Sequence, residues 1–453
     1  MKQNILFFPS HEPSQFIEIA KNCVKKDPNI NPIFFLLDRP TKKPDFAFYT
    51  YEDLINEISF GIDLNGDENF GLNLNEAVLM DRHHKKNLDI RSCLNRFRVS
   101  FDKFLKIHNI RKIFGYAMSD SIGYIAYMTA LKNEVPYFYF CSSRIEDYYY
   151  LTSEINGSSQ DYLEFELSHP FKNFSDQKVL DLLKEKVTYR KVPTYASDPT
   201  MIAGKSIINK LTNLMDLVKN NFFSRNKYLQ LFIPVPEAFF LAIRRYFSIN
   251  ELKNYEKKSE YFDNKKFIFF PLHLHPENST LVWGRWCHNQ LEILKLLSRV
   301  VPSDVYICVK EHKVAEGRHE LGFYKQIASL PNVFLVQADI NPHDLISKSQ
   351  AVATIAGTAG FEAICHGKHV LIFGDADYAD YDNAIICTDL SKLRSNVAKA
   401  LYSTPTKIED NKKFIRFVRN KLNLSLRIPN YSPYSLDESI IDPMSNLFLN
   451  QVK

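Results

Sequence analysis

A chain of 453 residues with 45% hydrophobic and 24% charged residues has the make-up of an ordinary globular protein, which excludes wholesale disorder. Its length exceeds what one hydrophobic core usually supports, so two domains of roughly 150 to 250 residues are expected. A formal charge of +5, spread without a long basic block, argues against a dedicated nucleic-acid binder and suits an anionic small substrate or a membrane surface.

The first apolar run, Ile5 to Phe8, is far too short for a signal peptide. No stretch reaches the roughly 20 apolar residues that span a bilayer, and a cytoplasmic protein is expected. Seven scattered cysteines without a Cys-x-x-Cys pair favour neither a disulfide framework nor a zinc ribbon, and read as reduced core residues.

Residues 1–160 alternate strand-like and helix-like patterns. Ile5 to Phe8 precedes a helix opened by Ser10 and Pro13, then comes the strand Ile33 to Leu37. A helix from about Leu88 to His108, a strand Lys112 to Ala117, a helix Ser121 to Lys132 and a strand Tyr137 to Cys141 complete a doubly wound, Rossmann-like half. His11 and Glu12, Asp120, and Arg144 follow strands and are candidates for an acceptor-side site. Ser10-His-Glu12 and Ser119-Asp-Ser121 are equally good helix caps.

From 161 to 264 the alternation is lost, and the text becomes helical, basic and aromatic, as in Phe239 to Phe247. This insert reads as helices packing between domains, with a basic-aromatic face on a membrane surface as the sharper alternative. Alternation returns over 265–402, with strands Phe267 to Phe270, Val305 to Val309, Val333 to Val336, Ala351 to Ile355 and Val370 to Phe373, and a covering helix Asn289 to Val300. Residues 403–453 read as a helical tail that returns to the first domain. The fold class is α/β, with two Rossmann-like doubly wound domains facing a cleft and a helical insert.

The chemistry concentrates in the second half, where eight of the thirteen histidines lie between His273 and His369. Gly357-Thr-Ala-Gly360 follows a strand and opens a helix. Backbone N–H groups and the helix dipole there suit phosphate, glycine allows a ligand to approach closely, and Thr358 adds a hydroxyl. A tight turn without function reads equally well. Lys310-Glu-His312 ends another strand and places a cation and an ionisable imidazole at the same edge, unless it is only a salt-bridged turn. His273-x-His275-x-Glu277 has the spacing of a zinc pair, but about 180 residues follow, too few for a metal-dependent barrel, so no metal is expected. The run Asp375-x-Asp377-x-x-Asp380-x-Asp382 lacks the glycine and glutamate of a calcium loop and reads as a solvated acidic loop.

Together, Pro-Leu-His-x-x-Pro-Glu-x-Ser-Thr beginning at Pro271, Val-Lys-Glu-His312 and Gly-Thr-Ala-Gly-Phe-Glu-Ala363 resemble the capsule polysaccharide synthesis family over roughly Lys265 to Tyr378. The resemblance implies a metal-independent GT-B glycosyltransferase that moves Kdo or a related acidic sugar from a CMP-linked donor onto a lipid-linked or polysaccharide acceptor, with no cofactor. Carried over, it places His312 and Thr358 at the donor's phosphate and nucleotide, with His273, Lys310, Gly357, Ala359 and Gly360 around them. Glu362 falls near ribose or base, and Glu277, with His275, at the anomeric centre. The family usually has His-Pro where this chain has His312-Lys313, which puts CMP selectivity in question. The rival readings are a non-catalytic component of a capsule assembly or export complex, and a CDP-polyol phosphotransferase.

Overall fold

The computed structural model describes residues 2–9, 14–40, 45–57, 74–82, 84, 88–116, 118–155, 174–188, 228–229, 235–284, 286–428 and 438–452. Two compact units emerge, one from residues 1–157, 222–232 and 424–453, the other from 158–221 and 233–423. Each is built on its own seven-stranded sheet.

In the first unit, β1 (Gln3–Phe8), β2 (Ile30–Leu36), β3 (Ala47–Thr50), β4 (Ile110–Gly115) and β5 (Tyr137–Ser142) run parallel in the order β3-β2-β1-β4-β5. β6 (Tyr148–Thr152) and β14 (Leu426–Arg427) extend it antiparallel. The strands are apolar on both faces because helices cover both sides. The C-terminal helix Glu438–Val452 lies against Ser14–Lys26, and its Phe448 packs 4.1 Å from Phe114 and 6.0 Å from Phe7, ring centre to ring centre. The chain end is thus part of this unit's core.

The second sheet is wholly parallel. Its order is β7-β10-β9-β8-β11-β12-β13, formed by β7 (Glu256–Lys257), β8 (Phe267–Pro271), β9 (Tyr306–Lys310), β10 (Val333–Val336), β11 (Ala351–Thr354), β12 (His369–Ile372) and β13 (Ala384–Ile386). Phe267 to Phe270 are fully buried, as a central strand requires. Strand order reverses at β8, where one neighbour is β9 and the other β11. The ends of these three strands therefore open the crevice in which such sheets bind ligands. Two Rossmann-like units in one chain are the make-up of the GT-B class.

Of the region read as an insert, the described part holds the helices Asp176–Thr188 and Val235–Tyr255, followed by β7, which joins the second sheet rather than standing apart from it. Phe240, Ile243, Tyr246 and Phe247 are exposed on the longer helix. Among the described residues, no helix is long and apolar enough to cross a membrane.

Candidate functional site

The crevice of the second unit is assembled by register. β8 and β9 pair Pro271 with Lys310, and Leu272 N–H donates to Lys310 O at 2.9 Å, so the segments beginning at His273 and Glu311 leave the sheet side by side. On the other flank β11 ends at Thr354, three residues before Gly357, which begins the helix Thr358–Cys365.

His273 is the hub of this edge. Its N–H donates to Gln290 Oε1 at 2.6 Å, Gln290 Nε2 returns a bond to His273 O at 3.1 Å, and its Nε2 meets Thr354 Oγ1 at 3.1 Å. Thr354 Oγ1 also accepts the Gly357 N–H at 3.2 Å. Burial, with a smaller push from nearby His312, takes the His273 imidazole down to about 4, so the ring is neutral at pH 7. Its Nδ1 is buried and has no hydrogen-bond partner among the described residues. Such an atom calls for a partner, which water or a ligand at this edge can supply.

The two glycines make room for the protein's own side chains. A Cβ on Gly357 would lie 2.7 Å from His273 Nε2, and one on Gly360 would collide with the Tyr378 hydroxyl. That hydroxyl donates to Gly357 O at 2.6 Å, clamping the turn. Gly360→Ala should therefore cost about 1–3 kcal/mol by overpacking. Part of it should return in the Gly360→Ala/Tyr378→Phe double variant, as read by chemical denaturation; an unchanged midpoint in the single variant would contradict the contact.

At the end of β9, Lys310 is 8% exposed and its Nζ donates to Glu311 O at 3.2 Å, forming no ion pair among the described residues. Burial brings its ammonium down to about 8 despite the nearby Glu311 carboxylate. Glu311 itself is fully buried and acts as a post. Its Oε1 accepts the His312 N–H at 2.7 Å, and its Oε2 accepts the Tyr324 hydroxyl at 2.6 Å, with His319 Nε2 at 3.2 Å. A salt-bridged surface turn is thus not what this segment forms. His312 Nδ1 accepts the Val314 N–H at 3.3 Å, which leaves the neutral ring's proton on Nε2; burial first, then Lys310, keep the imidazole below its usual range. The result is a buried cation beside a neutral N–H donor.

The third sequence segment divides. His273 turns in toward Thr354, whereas His275 Nδ1 bonds Thr280 Oγ1 at 3.0 Å, so the alternate imidazoles do not converge. Glu277 is exposed and caps the short helix Asn278–Leu281, with Thr280 Oγ1 accepting its N–H at 3.2 Å and Ser279 Oγ donating to its carboxylate at 3.3 Å. Among the described residues, no group of three His, Cys, Asp or Glu side chains gathers as a metal site. Thr358 is exposed and Ala359 half-buried at the helix start. Glu362, one turn in, meets Lys186 Nζ at 3.4 Å; the lysine comes from the helix Asp176–Thr188. Cys365 is buried and its thiol is pushed far up by burial, the reverse of an activated nucleophile.

The acidic run corrects its expectation. Asp377 is buried and ion-paired with the equally buried Lys421, while Tyr378 next to it is fully enclosed. In the first unit, Asp120 is buried as a helix cap, accepting from Ile122 N–H at 3.0 Å, Gly123 N–H at 2.9 Å and the Tyr116 hydroxyl at 2.9 Å. Arg144 lies after β5 in a left-handed conformation, φ 67°, with its N–H on Ser142 Oγ at 3.1 Å. His11 and Glu12 lie outside the described residues. Gln290, Thr354 and Lys186 were not singled out from sequence; each acts on a residue well separated from it in the chain, which no local pattern announces.

Residues 189–382 match the family model described as "Capsule polysaccharide biosynthesis protein". The matched range is less than half of the chain. It includes the ends of β8, β9 and β11, and part of it lies outside the described residues. A stretch of 157 residues is 26% identical to Protein FixF of Sinorhizobium fredii, covering 34% of this chain and 37% of that protein, so the match spans little more than a third of its length. Among solved structures, the beta Kdo 2,7 transferase of Thermosulfurimonas dismutans KpsC is 13% identical with a TM-score of 0.33, covering 79% of this chain and 90% of that one. A glycosyltransferase from Rickettsia africae is 13% identical with a TM-score of 0.30, covering 100% and 98%. Similarities at that level bear on neither substrate nor reaction.

Proposed function

We propose that the protein is a glycosyltransferase of capsule or other surface polysaccharide assembly, and that its second unit holds a nucleotide-activated sugar, CMP-linked Kdo or a related acidic sugar. The observation that carries this reading is the buried Lys310, which forms no ion pair among the described residues, beside a neutral His312 whose Nε2–H is left to donate. A buried ammonium near carboxylates but in direct contact with none of the described ones is costly, and a phosphate at this edge would offset that cost. The start of the helix Thr358–Cys365 adds its positive dipole end, and Glu362 is proposed for the ribose or base. The family match adds the polysaccharide context.

In the proposed reaction, the bond between the anomeric carbon and the phosphate oxygen breaks with its electron pair going to that oxygen, and an acceptor hydroxyl bonds to the carbon while its proton passes to a carboxylate base. Lys310 and His312 stabilise the leaving phosphate, and Glu277, exposed at the same edge with His275 close by in sequence, serves the anomeric centre. The first unit is proposed to hold the acceptor, with Arg144 among its ligands. The exposed aromatic face of Val235–Tyr255 is proposed to rest on the inner face of a membrane, with the protein in the cytoplasm.

Glu277→Gln should lower transfer from a CMP-activated acidic sugar by about a thousandfold or more, leaving the thermal midpoint unchanged because glutamine keeps an oxygen for the Ser279 hydroxyl and the helix cap. Release of CMP is the assay. Turnover within tenfold of wild type would remove Glu277 from the chemistry.

A further inference from the structure

Both tryptophans of the chain, Trp283 and Trp286, lie in one connection at the carboxyl edge of the second sheet, between β8 and the helix Gln290–Val300. Gln290 closes this connection by bonding the main chain of His273 at both its N–H and its O. After the short helix Asn278–Leu281 comes a turn held by main-chain bonds. Trp283 N–H donates to Asn278 O at 3.0 Å, Asp375 N–H to Trp283 O at 2.7 Å, and Cys287 N–H to Gly284 O at 2.6 Å. A Cβ on Gly284 would lie 2.5 Å from Thr280 O and 3.2 Å from the Ile355 side chain, and one on Gly374 would lie 2.7 Å from Trp283 O. The turn is therefore seated closely on the chain just beyond β11 and β12.

On this fixed backbone Trp286 is 77% exposed, more than any other large hydrophobic side chain among the described residues. Leu79, Tyr402 and Ile107, the next most exposed, are each the last residue of a helix, where a lone apolar side chain is ordinary. Trp286 instead stands in the connection that carries His273 and Glu277. An indole held in water by a tied turn leaves a wide apolar face uncovered, and a flat ring laid against it removes that face from water. A sugar ring offers such a surface in its C–H groups.

We propose that Trp286 is a platform on which the sugar ring of the nucleotide-activated donor stacks while Lys310 and His312 hold the phosphate. The phosphate half of this arrangement rests on the function proposed above. The sugar rather than the base is the occupant because Trp286 shares its connection with Glu277, proposed for the anomeric centre. Glu362, proposed for the ribose or base, stands on a different element, the helix Thr358–Cys365.

The test measures CMP and CMP-activated Kdo by calorimetry and tryptophan emission on wild type, Trp286→Phe and Trp286→Ala. Trp286→Ala should weaken binding of CMP-activated Kdo by about tenfold or more and move CMP less than twofold. Trp286→Phe, which keeps a smaller ring, should lose only about threefold. The emission of wild type less that of Trp286→Phe reports Trp286 alone, because Trp283 is the single tryptophan left in the variant. Saturating CMP-activated Kdo should move that difference spectrum to shorter wavelength, as the indole leaves water, and CMP should leave it in place. An equal shift and an equal loss with CMP would assign the indole to the base and overturn the sugar platform. Unchanged affinity of Trp286→Ala for CMP-activated Kdo, or a lowered thermal midpoint with no preference between the ligands, would also overturn it and leave the nucleotide reading standing. Failure of wild type to bind either ligand would remove both.

Discussion

Lys310→Met should weaken nucleotide binding by about a hundredfold or more and at the same time stabilise the unliganded protein. Methionine fills the space of the lysine stem without a charge, and the charge is what burial penalises. The ammonium is brought from 10.5 to about 8, a difference worth roughly 3–4 kcal/mol against the charged form. The pH dependence follows with a definite sign. Between about 8 and 10.5 the unfolded chain binds more protons at this group than the folded one. Wild-type stability should therefore rise with pH across that window, with the penalty fully present below it. Nucleotide affinity should do the opposite, holding below pH 8 and falling by up to about tenfold per unit above it as Lys310 loses its proton. In Lys310→Met both slopes should vanish. Denaturant midpoints and calorimetry from pH 7 to 10 check this; a variant that loses both binding and stability would mean that Lys310 is a structural residue and not an anion ligand.

The second large effect is expected far from any ligand. Asp377→Ala leaves Lys421 buried without its carboxylate, and breaking such a pair typically costs roughly 3–5 kcal/mol. Lys421 also sits over the Phe417 ring at 4.4 Å, and Asp377 directly precedes Tyr378, which holds the Gly357 turn. The loss should therefore loosen the site as well as the fold. Asp377→Leu with Lys421→Met should recover most of the stability, because an apolar pair of similar volume needs no compensation. A cost below about 1 kcal/mol for Asp377→Ala by urea denaturation would contradict the ion pair.

Those two residues also show why the sequence was legible in part. Five of the second sheet's seven strands were readable because each is a largely apolar run, such as Phe267 to Phe270. A parallel sheet buries both faces, so the signal is strong, and the chemistry-bearing segments necessarily follow at the carboxyl ends. Pairings across the chain left no such trace. Asp377 finds Lys421 after 44 residues, and His273 finds Thr354 after 81, so a run of aspartates looked solvated and a pair of alternate histidines looked convergent. What lies in the space a Cβ would take at Gly357 and Gly360 depends on the placement of His273 and Tyr378, which the local sequence does not carry. β7 and β14, two residues each, carry no periodicity at all.

Binding of a nucleotide phosphate at the carboxyl edge of the second sheet is measured by calorimetry of CMP, CDP, UDP and GDP on wild type and His312→Ala, with and without magnesium. Metal-independent binding is expected, tightest for the cytidine nucleotides, with a loss of about tenfold or more in His312→Ala at unchanged thermal stability. Binding that is absent in wild type, or that persists unaltered in His312→Ala, would contradict that expectation.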